Sequence, residues 1–440
     1  MSFIADKQTL DDLNLLGKYK SNAIFGLFNK VVTDGGEKLL EQLFRHPLTA
    51  PQAINHRSMT IRWFGEKAAK FPFDREEFTI MENYLGTGVA GGRVTASLNT
   101  LRKKFMHFIG LDKEYPILVT GLYTTIALLN RLDDFLSQLE EGIWENPFRH
   151  ELRSVKKILS SPKLAWLAKQ RGNTQLPLLN IVEYDTTLRL ILKEELENIL
   201  QVIYQVDVFI AVSAVARTKG FAYALALPRT HRCIDIRDCR HPGIELAVAN
   251  SVNLRSDSNV LFLTGANMAG KSTFMKSFSI ALYLAHMGFP VAASVMEFSV
   301  RDGIYTSINV PDNLQLGYSH FYAEVRRVKT VATDVAAGKN LLVIFDELFK
   351  GTNVKDAYDA TLAVTEAFSK YHNCIFIIST HIIEVAEALG KKTGNLQFVY
   401  FPTVMEGSIP RYTYQLQQGV TSDRHGMMII ENEGILTLLA

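Results

Sequence analysis

The chain has 440 residues, 47% of them hydrophobic, and its 47 Lys and Arg against 45 Asp and Glu give a formal net charge of +2. This length accommodates two or three domains, each with its own core. The near-neutral charge excludes a protein that holds nucleic acid by overall positive charge, so any DNA contact must be local. Cys233, Cys239 and Cys374 are too few for a disulfide framework and are typical of a cytoplasmic protein.

The first half of the chain has the apolar spacing of helices. Apolar residues recur at intervals of three and four over residues 8–30 and 34–46, with a break at 34–36 and a stop at Pro47. Longer helical stretches are expected within 95–140 and 180–217, and the apolar stripe of the latter favours helix packing over ligand binding. These patterns predict an all-α domain over residues 1–227.

From residue 228 onward, short apolar runs alternate with helical segments. The clearest strands are expected at 259–264, 341–345 and 374–379. This alternation predicts a parallel sheet whose ligand site lies at the carboxyl ends of the strands. The uncharged run 277–296 is nearly long enough to span a membrane, but His286, Gly288 and Pro290 interrupt it, which favours a buried helix leading into a strand. The sequence thus predicts an α/β domain over residues 228–440.

A glycine-rich loop is the most informative motif. It follows the expected strand 260–264, precedes a helical run and fits the spacing G-x-x-x-x-G-K-[ST]. Glycines let backbone N–H groups turn inward around phosphates, and the helix N-terminus adds a favourable dipole. Lys271 is predicted to reach the β- and γ-phosphates, and the Ser272 hydroxyl to ligate Mg²⁺. The alternative, a chance glycine turn, is disfavoured by the combined match. The predicted nucleotide-binding residues are Gly265, Ala266, Asn267, Met268, Ala269, Gly270, Lys271, Ser272 and Thr273.

Two acidic residues strengthen this interpretation. Asp346 and Glu347 directly follow the expected strand 341–345. At the tip of a buried parallel strand, Asp346 can hold the water shell of Mg²⁺, and Glu347 can orient or deprotonate an attacking water. A surface turn with two acids is the alternative, but five apolar residues before them favour a central strand. The two motifs together predict an ATPase site.

These motifs resemble those of one family. Residues 264–273, with the Asn267-Met268 pair, closely resemble the phosphate loop of MutS-type DNA mismatch repair ATPases. The segment 346–356, the triplet Ser379-Thr380-His381 and the triplet Arg240-His241-Pro242 are similar to further motifs of that family. Residues 10–54 resemble the start of its helical core domain, so the resemblance covers nearly the whole chain.

The resemblance implies an all-α helical core or lever domain (1–227) followed by an α/β P-loop, ABC-like ATPase domain (228–440). It implies hydrolysis of ATP to ADP and phosphate, stimulated by DNA, with Mg²⁺ as the cofactor. In the matching positions, Lys271, Glu347 and His381 are catalytic, His381 senses the γ-phosphate, and Ser272 and Asp346 hold the metal. Ser319 acts across a homodimer formed through the ATPase domains, although a helix N-cap is its simpler role.

The chain also departs from the family pattern. Ala266 and Ala269 replace a Pro and a Gly, and Phe349 replaces a Gly. Residues 247–248 are Ala and Val where an adenine-stacking aromatic is usual, which leaves the base preference open. Because the helical core begins near the first residue, we expect a short form without the mismatch-reading and connector domains and with a reduced or absent clamp. Phe64-Gly65-Glu66 is then a coincidental match to the mismatch-reading motif.

Two functions fit these observations. The first is DNA mismatch repair, in which the ATP state controls binding to mismatched, branched or otherwise distorted duplex DNA. Basic residues at 102–104 and 153–157 could contact phosphates, with a solvated helix face as their alternative. The second is an ATP-driven switch that docks a protein partner without recognising mismatches. The glycine pattern at 86–91 matches a dinucleotide fingerprint, but no strand precedes it, so an interhelical loop is expected there.

Overall fold

The computed structural model describes residues 2–17, 23–87, 100–105, 107, 114–139, 146–173, 175–266, 268–308, 320–406, 409–421 and 438. Packing divides the chain into two compact units. We name them the sheet unit (Met1–Phe28, Leu43–Ser58 and Val215–Ala440) and the helical unit (Asn29–Gln42 and Met59–Ala214). Residues 1–28, 43–58 and 215–227, which precede the predicted border at 227/228, pack within the sheet unit.

Helices and sheets are both present, as predicted. The described helices are α1 (Lys7–Asp12), α2 (Ile24–Phe28), α3 (Asp34–Arg45), α4 (Pro51–Glu66), α5 (Arg75–Gly86), α6 (Glu114–Leu139), α7 (Arg149–Leu159), α8 (Leu178–Thr186), α9 (Lys193–Lys219), α10 (Lys271–His286), α11 (His320–Ala336), α12 (Val354–Ser369) and α13 (Ile383–Gly390). The strands are β1 (Ala222–Tyr223), β2 (Leu225–Leu227), β3 (Ile234–Cys239), β4 (Asn250–Leu254), β5 (Val260–Thr264), β6 (Pro290–Val291), β7 (Val295–Ser299), β8 (Gly303–Ser307), β9 (Leu341–Phe345), β10 (Ile375–Ser379), β11 (Leu396–Tyr400), β12 (Thr403–Glu406), β13 (Ile409–Tyr412) and β14 (Gln417–Gln418).

In the helical unit, the glycines near the start of α3 fit close to α9. The Asp207 carboxylate accepts hydrogen bonds from the Thr33 backbone N–H and hydroxyl, both at 2.8 Å. A Cβ on Gly35 would lie only 2.2 Å from a ring carbon of Tyr204. The expected break at 34–36 is therefore the first turn of α3, where the absence of side chains permits the close approach.

The sheet unit is organised around a mostly parallel sheet. Within the described residues its strand order is β14-β11-β5-β10-β9-β8, and all pairs are parallel except β14 with β11. Every residue of β5, β8, β9 and β10 is buried. Such continuous apolar strands are typical of parallel sheets covered on both faces, and three of these strands coincide with the runs predicted from sequence. A second sheet has the order β2-β7-β3-β4.

The N-terminal segment covers the β8 edge of the parallel sheet. Ile4 forms a parallel bridge with Gly303, where a Cβ would lie 2.4 Å from the Ile4 carbonyl oxygen. Beyond it, the Asp12 carboxylate accepts hydrogen bonds from the Thr306 hydroxyl at 2.8 Å and the Ile308 N–H at 3.0 Å. Covering an edge in this way prevents its pairing with other chains, and it explains why residues so early in sequence belong to this unit.

The uncharged run 277–296 is a core element, as expected. Nearly all of α10 is buried, and the chain then enters β6. Among the described helices, α9 has the length and composition of a membrane span, but 67% of its most apolar stretch is buried inside the protein, as in a core helix.

Candidate nucleotide-binding site

The glycine-rich loop connects β5 to α10 and uses its glycines for unusual backbone conformations. Gly265 has φ 138°, and Gly270 has φ 104° at the N-cap of α10. Both values lie where residues with a Cβ are strained. Ala266 and Ala269 keep negative φ, so alanine is tolerated at both positions. The loop thus closes tightly at the N-terminus of a helix, a geometry that suits anions.

The Lys271 side chain folds back over this loop. It is only 5% exposed, and its Nζ donates hydrogen bonds to the carbonyl oxygens of Gly265 at 2.7 Å and Ala266 at 3.0 Å. Burial lowers the pKa of Lys271, while the carboxylates of Glu347 and Asp346 oppose that shift. The ammonium group is therefore held between the loop carbonyls and the acidic pair.

Asp346 is joined to residues on two other elements. Its Oδ2 accepts a hydrogen bond from the Ser272 hydroxyl on α10 at 2.5 Å. Its Oδ1 accepts one from the Ser379 hydroxyl at the end of β10, also at 2.5 Å. The adjacent β5, β10 and β9 all end at this point, so the loop, Ser379 and Asp346 meet at one edge of the sheet.

Glu347 is hydrogen-bonded to His381 through Oε1 and Nε2, and its Oε2 lies 3.6 Å from Lys350 Nζ. The hydrogen bond from His381 is the main cause that lowers the pKa of Glu347 to about 2, against an opposing effect of burial. Glu347 is thus a carboxylate at neutral pH. Its backbone has φ 54° and that of Phe349 has φ 60°, so both residues lie in the left-handed region that favours glycine.

A cavity of about 510 Å³ opens beside the loop. Lys271, Ser272 and Glu347 line it together with apolar side chains and three aromatic rings. Its remaining lining residues are Cys239, Ile244, Leu246, Ala247, Val248, Asn250, Ala266, Met268, Gly270, Thr273, Phe274, Ser277, Phe401 and Tyr414.

Two aromatic residues of the cavity, Phe401 and Tyr414, are not predicted by any motif in the sequence. Tyr414 packs onto the loop, since a Cβ on Gly270 would lie 3.0 Å from its ring. Asn250 fixes the Tyr414 segment by donating to the Tyr414 carbonyl at 3.0 Å and accepting from the Leu416 N–H at 2.7 Å. Phe401 and Tyr414 lie far from the loop in the sequence, so the loop motif does not indicate them. Near Tyr414, the pair of aromatic residues at 412 and 414 is the local feature that could have drawn attention to it.

The other predicted residues are distributed as follows. Asn267 and Ser319 lie outside the described residues, as does part of the glycine pattern at 86–91. Phe64 is 1% exposed and packs against Trp63 and Phe148, so Phe64-Gly65-Glu66 belongs to the helical core. In the basic segment 102–104, Lys103 forms an ion pair with Glu114 at 2.7 Å.

Comparisons with known proteins agree with the motifs. The family model of MutS domain V matches residues 261–437. The DNA mismatch repair protein MutS of Leuconostoc mesenteroides subsp. mesenteroides is 28% identical over 78% of this chain and 39% of its own length. That of Lactococcus lactis subsp. cremoris is 27% identical over 58% of this chain and 31% of its own length. The chain therefore spans less than two fifths of these relatives. Together these matches show that residues 261–437 are similar to MutS domain V and that most of the chain is similar to MutS proteins.

Proposed function

We propose that the protein binds ATP with Mg²⁺ in the cavity beside the glycine-rich loop and hydrolyses it to ADP and phosphate. The observation that carries this proposal is the convergence of Lys271, Ser272, Asp346, Glu347 and His381 at the carboxyl ends of adjacent parallel strands. Ligands of open α/β sheets bind at the carboxyl ends of the strands. The strand order and the loop-to-helix connection support a P-loop, ABC-like ATPase domain in the sheet unit, with the helical unit as the core or lever.

The loop and Lys271 are suited to the phosphates. Backbone N–H groups at the start of α10 point toward an anion at the helix N-terminus, and residues 265–273 supply them. The Lys271 ammonium lies against the loop carbonyls, where it would bind the β- and γ-phosphates. Tyr414 and Val248 also line the cavity, and we expect them to contact the nucleoside.

The oxygen atoms of Ser272 and Asp346 fit Mg²⁺, which prefers oxygen ligands and retains several waters. Within the described residues no group of three or more His, Cys, Asp or Glu is placed to hold a metal, which is compatible with a site that uses few protein ligands. When bound, Mg²⁺ would neutralise charge on the phosphate oxygens. Ser272 and Asp346 would hold it beside the loop.

Glu347 and His381 are placed to act on the attacking water. A general base works best with a pKa near the working pH, and the pKa of Glu347 is about 2. This favours orientation of the water by the carboxylate over full removal of its proton. His381, hydrogen-bonded to Glu347, would then contact the γ-phosphate side of the site.

We further propose that the ATP state controls binding of mismatched, branched or distorted duplex DNA by a cytoplasmic homodimer formed through the ATPase domains, with Ser319 acting across it. In the helical unit, α7 buries Leu152 and Val155 and exposes Arg149, Arg153 and Lys157 at four-residue spacing. This basic face supports contact with phosphates, which position a protein on DNA without reading bases.

The test is binding to homoduplex, mismatched and junction DNA, with and without ATP, over a range of salt concentrations. We expect ATP-dependent binding that weakens with salt, and ATPase activity that DNA stimulates. Lys157→Glu should weaken binding to all three DNAs, whereas the exposed Lys70→Glu provides a charge-matched control. ATPase activity without affinity for any DNA above the nonspecific level would contradict the DNA proposal and favour a switch that docks a protein partner.

A further inference from the structure

The Ser379 hydroxyl is hydrogen-bonded to both acidic residues of the site, Asp346 and Glu347. Ser379 is the last residue of β10, its exposure is 0%, and the strand lies between β5 and β9. Its hydroxyl donates to Asp346 Oδ1 at 2.5 Å and accepts from the Glu347 backbone N–H at 3.0 Å. One buried oxygen atom thus contacts both acidic residues.

These contacts fix the direction in which each acid points. Because Ser379 engages Oδ1 of Asp346, the other oxygen, Oδ2, faces the Ser272 hydroxyl. The turn after β9 holds Glu347 and Phe349 in the left-handed region, at φ 54° and 60°. Backbone conformations of this kind persist only where the surroundings enforce them. The hydrogen bond to the Glu347 N–H is one such constraint.

We propose that Ser379 is a positioning residue of the ATPase site. It orients the Asp346 carboxylate toward the metal position and holds the Glu347 turn so that its carboxylate reaches His381. The role requires a side chain that donates and accepts through the same atom, which Ser and Thr do and Ala does not. This inference rests on the proposed ATPase function.

The test compares Ser379→Ala, Ser379→Thr and Ser379→Cys with the wild type. Ser279→Ala is the matched control, because Ser279 is equally buried in the same unit and donates only to the Met275 carbonyl within α10, at 2.7 Å. The readouts are kcat, the Mg²⁺ concentration for half-maximal activity, the ATP dissociation constant without Mg²⁺ and the melting temperature. Ser379→Cys nearly preserves the volume and keeps the test valid if the alanine variant does not fold.

We expect Ser379→Ala and Ser379→Cys to lower kcat by about tenfold or more and to raise the Mg²⁺ midpoint, with ATP affinity in the absence of Mg²⁺ nearly unchanged. Ser379→Thr should keep kcat and the Mg²⁺ midpoint close to the wild-type values. Ser279→Ala should change neither kcat nor the Mg²⁺ midpoint. A purely structural role would lower the melting temperature of Ser379→Ala while kcat and the Mg²⁺ midpoint stay at wild-type values, and that result would overturn the inference. A wild-type protein that neither binds nor hydrolyses ATP would overturn the proposed function and this inference together.

Discussion

The Ser272 hydroxyl donates a hydrogen bond to Asp346 Oδ2 at 2.5 Å, which joins the first turn of α10 to the end of β9. The two elements are not sequence neighbours, and β10 lies between β9 and β5 in the sheet. The contact therefore depends on the parallel order of the strands. It brings together the oxygen atoms that the proposed Mg²⁺ site requires.

Lys271→Ala should severely weaken ATP binding. The ammonium group is the buried cation of the loop, and its removal leaves the phosphate charge without its main partner there. We expect the dissociation constant of a fluorescent ATP analogue to rise by about a hundredfold or more. Lys276→Ala on the same helix is the control and should bind normally. Wild-type affinity in Lys271→Ala would show that the nucleotide binds elsewhere.

Glu347→Gln should bind ATP but not turn it over. The amide keeps the size of the side chain and loses the charge that orients water and receives the hydrogen bond from His381. We expect kcat to fall by about a hundredfold or more while the ATP dissociation constant changes little. Single-turnover measurements separate the two parameters. Retained turnover would exclude Glu347 from the mechanism.

Tyr414 is expected to stack on the nucleoside base. Its ring lies over the loop at Gly270 and lines the cavity, whereas residues 247–248 offer only small apolar side chains. Stacking of a base on an aromatic ring contributes about 1–3 kcal/mol, so Tyr414→Ala should weaken ATP binding by about tenfold. Tyr414→Phe keeps the ring and should bind like the wild type. Equal affinities of the Ala and Phe variants would contradict a stacking role.

Stability should decrease as the pH falls because of His286. This residue is fully buried, its Nδ1 contacts the Leu48 carbonyl at 2.8 Å, and its Nε2 accepts from the Arg301 N–H at 3.2 Å. Burial lowers its pKa from 6.5 to about 3, opposed by the hydrogen bond to the Leu48 carbonyl and helped by the charge of Arg301. The folded protein therefore binds the proton more weakly than the unfolded chain does.

The contribution of His286 to stability is fully present above pH 6.5 and is lost as the pH falls toward 3. The free energy of unfolding should decline by up to about 1.4 kcal/mol per pH unit in this window. Urea denaturation at several pH values measures the slope. His286→Gln removes the titrating group, so the free energy of unfolding of this variant should depend less on pH, by up to about 1.4 kcal/mol per pH unit. An unchanged slope would assign the effect to other groups.

Gly35→Ala should destabilise the helical unit although alanine normally favours helices. The added Cβ would lie 2.2 Å from the Tyr204 ring, so the ring must leave its place, which breaks its hydrogen bond to Glu82, or α3 must shift. We expect a loss of about 1–3 kcal/mol in the free energy of unfolding. Gly26→Ala in α2 is the matched control, because nothing lies within 4 Å of its new Cβ. That variant should be neutral or gain up to about 1 kcal/mol.

Much of the site could be predicted because its signals are local. The spacing from Gly265 to Ser272 fixes the loop, and the apolar runs before Gly265 and Asp346 identify β5 and β9 as buried strands. Lys271 and Asp346 could thus be named from short stretches of sequence. Parallel strands need long connections, and the alternation with helices indicated them.

The sequence alone determined the family resemblance, the helical first half, the parallel strands and the residues of the loop and acidic pair. Only the tertiary structure decided that Tyr414 completes the cavity, that Ser379 joins Asp346 to Glu347, and that the first residues cover the β8 edge. The physical reason is the sequence distance between the residues that make these contacts. Periodicity and motif spacing report on neighbours along the chain, whereas these contacts join residues far apart in sequence whose side chains meet only when the sheet has formed.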